Sequence, residues 1–358
     1  MSSQAPATLV DIGTRITQHL DLLLEREQQR WAGFDELLVE PFGEVRALVA
    51  SGGKRLRPAF CHWGYVALGG DRASAVDGNG DVIAAQIALE LLHASALLHD
   101  DIIDGAVLRR GEPTTYRRFL KDHELSGWRG ESRRFGEGVG ILAGDVAAVL
   151  ADRSIVLRND AVREVWCELR LEMNVGQLLD VIGSAHGDQS VERADRICRL
   201  KSGKYSIERP LHLGAALSEA DDLDEVMRRL SAYGLPLGDA FQMRDDVIGV
   251  FGDESASGKP VGGDLREGKP TPLVARAIRS ASGAQRRVLD LIGDPHLTDE
   301  QVRRIQEVII ATGALDELER EIAAKSREAV SAIQRSGFED DAVTELVALA
   351  SYITDRDR

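Results

Sequence analysis

Apolar residues recur along this chain at intervals of three and four almost from end to end, and strict alternation with β-branched residues is nowhere sustained. That period belongs to helices packed by one face, so the sequence predicts an all-α protein without a sheet. Leu9 to Arg30 is amphipathic, with Ile16, Leu20, Leu23 and Leu24 on its apolar side. Phe34 to Ala50 reads as a second helix, interrupted near Pro41. Asp81 to Leu98 and Ala232 to Met243 are apolar around most of their circumference, the pattern of buried helices. Further helices are expected at Gly140 to Leu157, Ala161 to Ile182, Val191 to Ser202, Tyr205 to Ser218 and Leu223 to Val250. Two polar stretches containing glycine, Lys121 to Gly138 and Asp253 to Pro272, read as surface loops. Three or four helices, one of them around Leu315 to Ile333, are expected from Pro272 to Asp355. Nothing marks a linker, so residues 1–358 are expected to form a single large helical domain around a central cluster of buried helices.

Composition narrows the functions open to such a chain. With 43% hydrophobic and 29% charged residues it has ample core for a globular protein. Its net charge of −15 argues against a nucleic-acid partner, which needs a dominant basic face. An anionic ligand must instead be held by local basic clusters or a bridging metal. Cys61, Cys167 and Cys198 are odd in number and far apart, without zinc-like spacing. They read as reduced, buried packing residues of a cytoplasmic protein. Met1 to Leu24 has Asp11 and Asp21 and no continuous apolar core, and is expected to be neither signal peptide nor anchor. The apolar run from Ala84 to Leu98 contains Gln86, Glu90, His93 and Ser95, so it reads as a core helix, with no transmembrane segment expected.

Two short stretches at the ends of the apolar helices change the picture. His99-Asp100-Asp101-Ile102-Ile103-Asp104 and Arg244-Asp245-Asp246-Val247-Ile248-Gly249 each place paired aspartates near a helix C-terminus. There the macrodipole opposes carboxylates, and Asp100 and Asp104, four apart, share one face. Each penalty is roughly 0.3–1 kcal/mol before burial is counted. A divalent metal between two such helices would compensate. Hard oxygen ligands without nearby Cys or His spacing favour Mg²⁺, which takes one or two carboxylates, keeps waters and shares phosphate oxygens. The two stretches lie 145 positions apart, Asp100 to Asp245, as a weak pseudo-repeat suited to opposite walls of one cavity. Cations follow: Lys54, Arg55 and Arg57 beside Gly52 and Gly53, Arg109 and Arg110, Lys201 and Lys204, and Lys259 and Lys269. Together they suit a diphosphate, whose oxygens metal bridges while Arg and Lys bind those remaining. Gly263 to Pro270 nearly fits a nucleotide-binding P-loop, but Pro270 stands where Ser or Thr must ligate Mg²⁺, and no strand precedes it.

These stretches, with Gly53-Lys54-Arg55-Leu56-Arg57-Pro58, Leu108 through Thr114, Gly144-Asp145, Gly176 through Asp180, Lys201-Ser202, Phe241 through Asp246 and Gly258-Lys259 through Gly268-Lys269, resemble the trans-isoprenyl diphosphate synthases of the polyprenyl synthetase family. The resemblance implies an isoprenoid-synthase helical bundle around a deep central cavity, a homodimer, and Mg²⁺-dependent 1′–4 condensation of isopentenyl diphosphate with an allylic diphosphate (dimethylallyl, geranyl or farnesyl). Carried over by position, Asp100 and Asp104 would ligate two metals, with Asp101 assisting or oriented by a neighbour. Asp245 would ligate a third, with Asp246 behind it. Arg109, Lys201, Gln242 and Lys259 would hold the allylic diphosphate, with Ser202 where the family often has Thr, and Lys269 a further contact. Lys54, Arg57, His93 and Arg110 would form a metal-free isopentenyl diphosphate site. His99 reads by default as a satisfied core histidine. Gly249 departs from the pattern, since the second stretch often carries a third aspartate there. Asp253, a turn further on, is one stand-in, and Gly249→Asp is expected to lower the Mg²⁺ requirement. Ser95 and Ala96, small and one turn before Asp100, would let the product reach Leu92 and Leu91, favouring the twenty-carbon geranylgeranyl diphosphate. Two other readings stand beside this one: a class I terpene cyclase, and a non-catalytic partner subunit of a prenyl synthase.

Overall fold

The computed structural model describes residues 4–71, 80–187, 189–252, 262–294 and 296–355. They are overwhelmingly helical and cluster into two compact units, one built mainly from Ala7–His62 and Gly70–Arg158, the other from Trp63–Gly69 and Asn159–Arg358.

The first unit contains α1 (Ala7–Ala32), α2 (Val39–Ala50), the greater part of α3 (Leu56–Val66), α4 (Asp81–Ile103), α5 (Thr115–Ser126) and α6 (Ser132–Ser154). Leu9, Ile12, Ile16, Leu20 and Leu24 are buried along α1, the stripe its periodicity predicts. Pro41 lies in the first turn of α2, where its missing N–H has no intrahelical partner to lose, so it opens that helix rather than interrupting it. A short 3₁₀ turn over Glu36–Leu38 precedes it, capped by Asp35. Helix α4 is buried on nearly every side. By length and composition it could cross a membrane, yet 67% of its most apolar stretch is buried inside the fold.

Two expectations for this unit need correction. Residues Leu108–Arg109 (β1) and Glu112–Pro113 (β2) form a small antiparallel hairpin, in register Leu108↔Pro113 and Arg109↔Glu112. Its two turn residues, Arg110 and Gly111, both have positive φ, as the tight hairpin turn requires. The predicted loop from Lys121 to Gly138 is mostly helix, broken only between Ser126 and Ser132. Gly127 and Gly130 take positive φ in the break, whereas Gly136 serves close packing. A Cβ on Gly136 would meet Tyr116 O at 2.3 Å, and one on Gly140 would meet Ile102 Cδ1 at 2.8 Å. With Gly144 they repeat every four residues and let α6 lie hard against α5 and the end of α4.

The second unit contains α7 (Asp160–His186), α8 (Val191–Ile197), α9 (Arg209–Leu217), α10 (Leu223–Phe251), α11 (Gly263–Glu267), α12 (Pro272–Ser280), α13 (Gly283–Leu289), α14 (Asp299–Ala311), α15 (Ala314–Gln334) and α16 (Asp340–Thr354). Five helices, rather than three or four, therefore follow Thr271 among the described residues. The break expected between Ser202 and Tyr205 is absent. Cys198–Glu208 is wound as a π-helix that joins α8 to α9, a form that often marks functional positions. The unit's core gathers Met243, Val247 and Val250 of α10 with Leu265, Leu273, Ile305, Leu318 and Ile322. Cys61 and Cys198 are buried, whereas Cys167 is exposed, against expectation.

Candidate active site

In the first unit the candidate residues gather at the C-terminal end of α4. Asp104 caps the helix, its N–H bonding Asp100 O at 2.8 Å, and Ala106 N–H returns to Asp101 O at 2.9 Å. Thr114 Oγ1 donates to Ala106 O at 2.9 Å, fastening the hairpin to that end. His93, Ala96, Leu97, Asp100 and Asp104 are all half-buried, and their spacing puts them along one face of α4, whereas Leu91, Leu92, Ser95 and Asp101 are buried. Asp101 is held by Arg109, whose Nε donates to Oδ1 at 2.9 Å, and is therefore the aspartate oriented by a neighbour. His99 is half-buried rather than a core histidine: its Nε2 lies 3.1 Å from Ile141 O and 3.4 Å from Asp145 Oδ1, against Gly144, where a Cβ would lie 2.2 Å from that nitrogen.

The hairpin turn carries Arg110 back to the loop before α3, where its Nη1 bonds Ser51 Oγ at 2.9 Å and also reaches Gly52 O. Gly52 and Gly53 both have positive φ, and a Cβ on Gly53 would meet Arg110 Nη2 at 3.2 Å. Arg55, also at positive φ, turns inward instead. It pairs with Glu90 of α4 and donates to Val49 O at 2.7 Å and to Thr17 Oγ1 at 3.3 Å. That buried anchor leaves Lys54 exposed and Arg57 half-buried. Desolvation, then the charges of Arg57, Arg110, Arg109 and Arg55, push the His93 imidazole well below its ordinary value. The fold thus brings Arg57, His93, Arg109 and Arg110 into one electropositive group, with His93 neutral near pH 7. Desolvation and the neighbouring arginines also lower Arg110, the expected strain of packing like charges. Sequence reasoning passed over Arg55 and Glu90. Their signal was a buried position for Glu90 on an otherwise apolar helix face, which demands a cation.

In the second unit, Gln242, Asp245 and Gly249 are half-buried on α10, spaced three and four apart and so on one face. Asp246 is buried and accepts a hydrogen bond from Gln242 Nε2 at 2.8 Å. Desolvation drives its carboxyl well above the carboxylate range, the Gln242 bond opposes this, and the Asp264 and Asp245 charges add to it. Arg244 points the other way, bonding both oxygens of Glu319 at 2.7 Å and Thr354 O at 2.9 Å, which fixes the rotation of α10. Lys201, on the π-helix, bonds Asp180 Oδ2 of α7 at 2.8 Å. Gly176 admits this approach, since a Cβ there would stand 2.5 Å from Lys201 N. Gly203 and Gly238 touch backbone to backbone, setting half-buried Ser202 against α10. Lys269 pairs with Glu267 at 2.8 Å and acts electrostatically on Asp246. Lys259 and Asp253 lie outside the described residues. Among the described residues no three or more His, Cys, Asp or Glu side chains form a self-sufficient metal cluster. The half-buried carboxylates of Asp100, Asp104 and Asp245 are hard oxygen donors, the kind that Mg²⁺ takes one or two at a time.

The sequence profile of the polyprenyl synthetase family matches residues 42–309. The chain is 32% identical over 321 residues to a geranylfarnesyl diphosphate synthase from Aeropyrum pernix, covering 86% of this chain and 92% of that one. It is also 32% identical over 315 residues to a geranylgeranyl diphosphate synthase from Mycobacterium tuberculosis, with 86% and 81% covered. Its fold superposes on the crystal structure of geranylgeranyl pyrophosphate synthase from Corynebacterium glutamicum complexed with isoprenyl diphosphate and magnesium, with a TM-score of 0.89 and 34% identity over 97% of this chain and 99% of that chain. With both aspartate stretches set on buried helices, and with these likenesses spanning most of its length, the chain belongs to the polyprenyl synthetase family, whose members are trans-prenyl diphosphate synthases.

Proposed function

We propose that this protein condenses isopentenyl diphosphate with an allylic diphosphate, 1′ to 4, and releases mainly geranylgeranyl diphosphate. The observation that carries the reading is the group of Arg57, His93, Arg109 and Arg110 beside the aspartate end of α4. A cyclase has one diphosphate to hold. A cationic group in addition to two aspartate stretches is what a second diphosphate substrate needs. A non-catalytic partner subunit would have no use for the first aspartate stretch, which this chain retains.

Asp100, Asp104 and Asp245 would hold about three Mg²⁺ ions, which would supply positive charge to the leaving diphosphate. Arg109 fixes Asp101, and so the end of α4, while Lys201, Ser202, Gln242, Lys259 and Lys269 receive the allylic diphosphate. Lys54, Arg57, His93 and Arg110 receive the isopentenyl diphosphate without metal. In the reaction the allylic C–O bond breaks with its electron pair leaving on the diphosphate. The isopentenyl double bond then forms the new C–C bond, and a proton is lost to restore a double bond. The apolar wall that Ala96 and Leu92 belong to keeps water from the cation. Both units serve one catalytic domain in this reading. Exposed Leu142 and Val149 on α6, and Leu171, Val175 and Leu178 on α7, favour a homodimer.

The test is incubation of the purified protein with radiolabelled isopentenyl diphosphate, each allylic starter and Mg²⁺, followed by dephosphorylation and sizing of the alcohols. Twenty carbons as the main length supports the proposal. Labelled isopentenyl diphosphate recovered unchanged with every starter overturns it.

A further inference from the structure

The second aspartate stretch has glycine where a third carboxylate is common in its family, and the structure shows what stands in that space. A Cβ built on Gly249 would lie 1.9 Å from Asp264 Oδ2 and 2.6 Å from its Cγ. No side chain fits at position 249 while Asp264 keeps this position. Gly249 is therefore the seat of a carboxylate that arrives from α11, on the face of α10 that carries Asp245 one turn earlier.

The fold holds Asp264 there firmly. Gly262 and Gly268 flank α11 in left-handed conformations, and Gly268 N–H and Lys269 N–H both bond Asp264 O, at 3.1 and 3.2 Å. Leu265 is fully buried, and its carbonyl accepts Gly293 N–H at 2.9 Å. A second observation points to a cation. Asp246 is 3% exposed, its Oδ2 has no hydrogen-bond partner among the described residues, and it lies within electrostatic reach of both Asp245 and Asp264. Like charge on Asp245 and Asp264 beside this buried, unmatched carboxyl oxygen makes a setting that a cation would relieve.

We propose that Asp264 replaces the absent third aspartate of the second stretch, acting with Asp245 to position the divalent cation, and that Gly249 exists to admit it. This rests on the prenyl-synthase reading and reverses one expectation from sequence. Gly249→Asp alone brings a Cβ into Asp264 and adds like charge, so it does not improve metal binding.

The experiment titrates the full-length protein with Mn²⁺ in the presence of inorganic pyrophosphate, reading bound Mn²⁺ by electron paramagnetic resonance. Circular dichroism checks that each variant is folded. Asp264→Asn is expected to weaken the affected site about ten- to a hundred-fold, the effect of losing a group that orients a metal ligand. Gly249→Asp alone also weakens it. Gly249→Asp/Asp264→Ala binds at least several-fold more tightly than Asp264→Ala, a rescue that a merely structural role for Asp264 would not produce. Wild-type affinity in Asp264→Asn, or folded variants without rescue, overturns the proposal and leaves the prenyl-synthase reading intact. A wild-type protein that binds no Mn²⁺ with pyrophosphate overturns both.

Discussion

Replacing Arg55 by leucine probes the loop that carries Lys54 and Arg57. The side chains of Arg55 and Glu90 are 7% and 3% exposed, so the substitution leaves a carboxylate buried without its cation. Removing one partner of such a pair costs roughly 3–5 kcal/mol, whereas replacing both with apolar groups is often neutral or better. Arginine and leucine bear the same penalty for positive φ at this position, so that penalty cancels in the comparison. The lost bonds to Val49 O and Thr17 burden single and double variants alike. Urea unfolding followed by far-ultraviolet circular dichroism should therefore show Arg55→Leu about 3–5 kcal/mol less stable than wild type. Arg55→Leu/Glu90→Leu should recover at least half of that. Because the same loop presents Lys54 and Arg57, Arg55→Leu should also raise KM for isopentenyl diphosphate several-fold more than it lowers kcat. If the double variant is no more stable than the single, Arg55 does not serve to neutralise Glu90 and the reasoning fails.

Burial, and next the Arg209 charge, push the His212 imidazole down to about 4. Unfolded, it titrates near 6.5, so between those values only the unfolded chain binds the proton. Stability is then full above about pH 6.5 and falls by up to about 3 kcal/mol as pH drops to 4. His212→Gln should flatten that slope in melts taken across the range, and an unchanged slope would rule His212 out as its source. Ala96→Phe should shorten the main product by about one isoprene unit with turnover retained, and Ser95→Phe should act alike; active variants with an unchanged product would place the growing chain elsewhere. Gly144→Ala drives a Cβ into His99 and should cost roughly 1–3 kcal/mol in urea unfolding, less in a His99→Ala background. Equal costs in both backgrounds would mean that His99 is not what the glycine accommodates.

Most of the helical framework was legible because one-sided apolar periods survive in the sequence wherever a helix packs by one face, as along α1. Two of the misread stretches share a cause. Gly136 looks like a loop residue until the backbone of Tyr116 is known to pass within reach of its missing Cβ. The same holds for Gly203 in the Lys201-Ser202-Gly203-Lys204 run, which is continuous π-helix pressed against Gly238. Asp100, Asp101, Asp104, Asp245 and Asp246 stood out because carboxylates at the ends of apolar helices are costly without a purpose. Asp264 did not, since its meaning comes from a space at Gly249 that only the packing of α11 on α10 reveals. Arg55 was hidden among three neighbouring cations, and burial alone separates it from Lys54 and Arg57.

In the proposed reaction both aspartate stretches act, through divalent cations, on one departing diphosphate. This is tested most directly by anomalous diffraction from crystals grown with Mn²⁺ and a non-ionising thio analogue of the allylic diphosphate. Mn²⁺ is expected at Asp100 and Asp104 and again at Asp245, every ion sharing oxygens of a single diphosphate. Mn²⁺ missing from either stretch, or the two stretches bound to separate ligands, would contradict it.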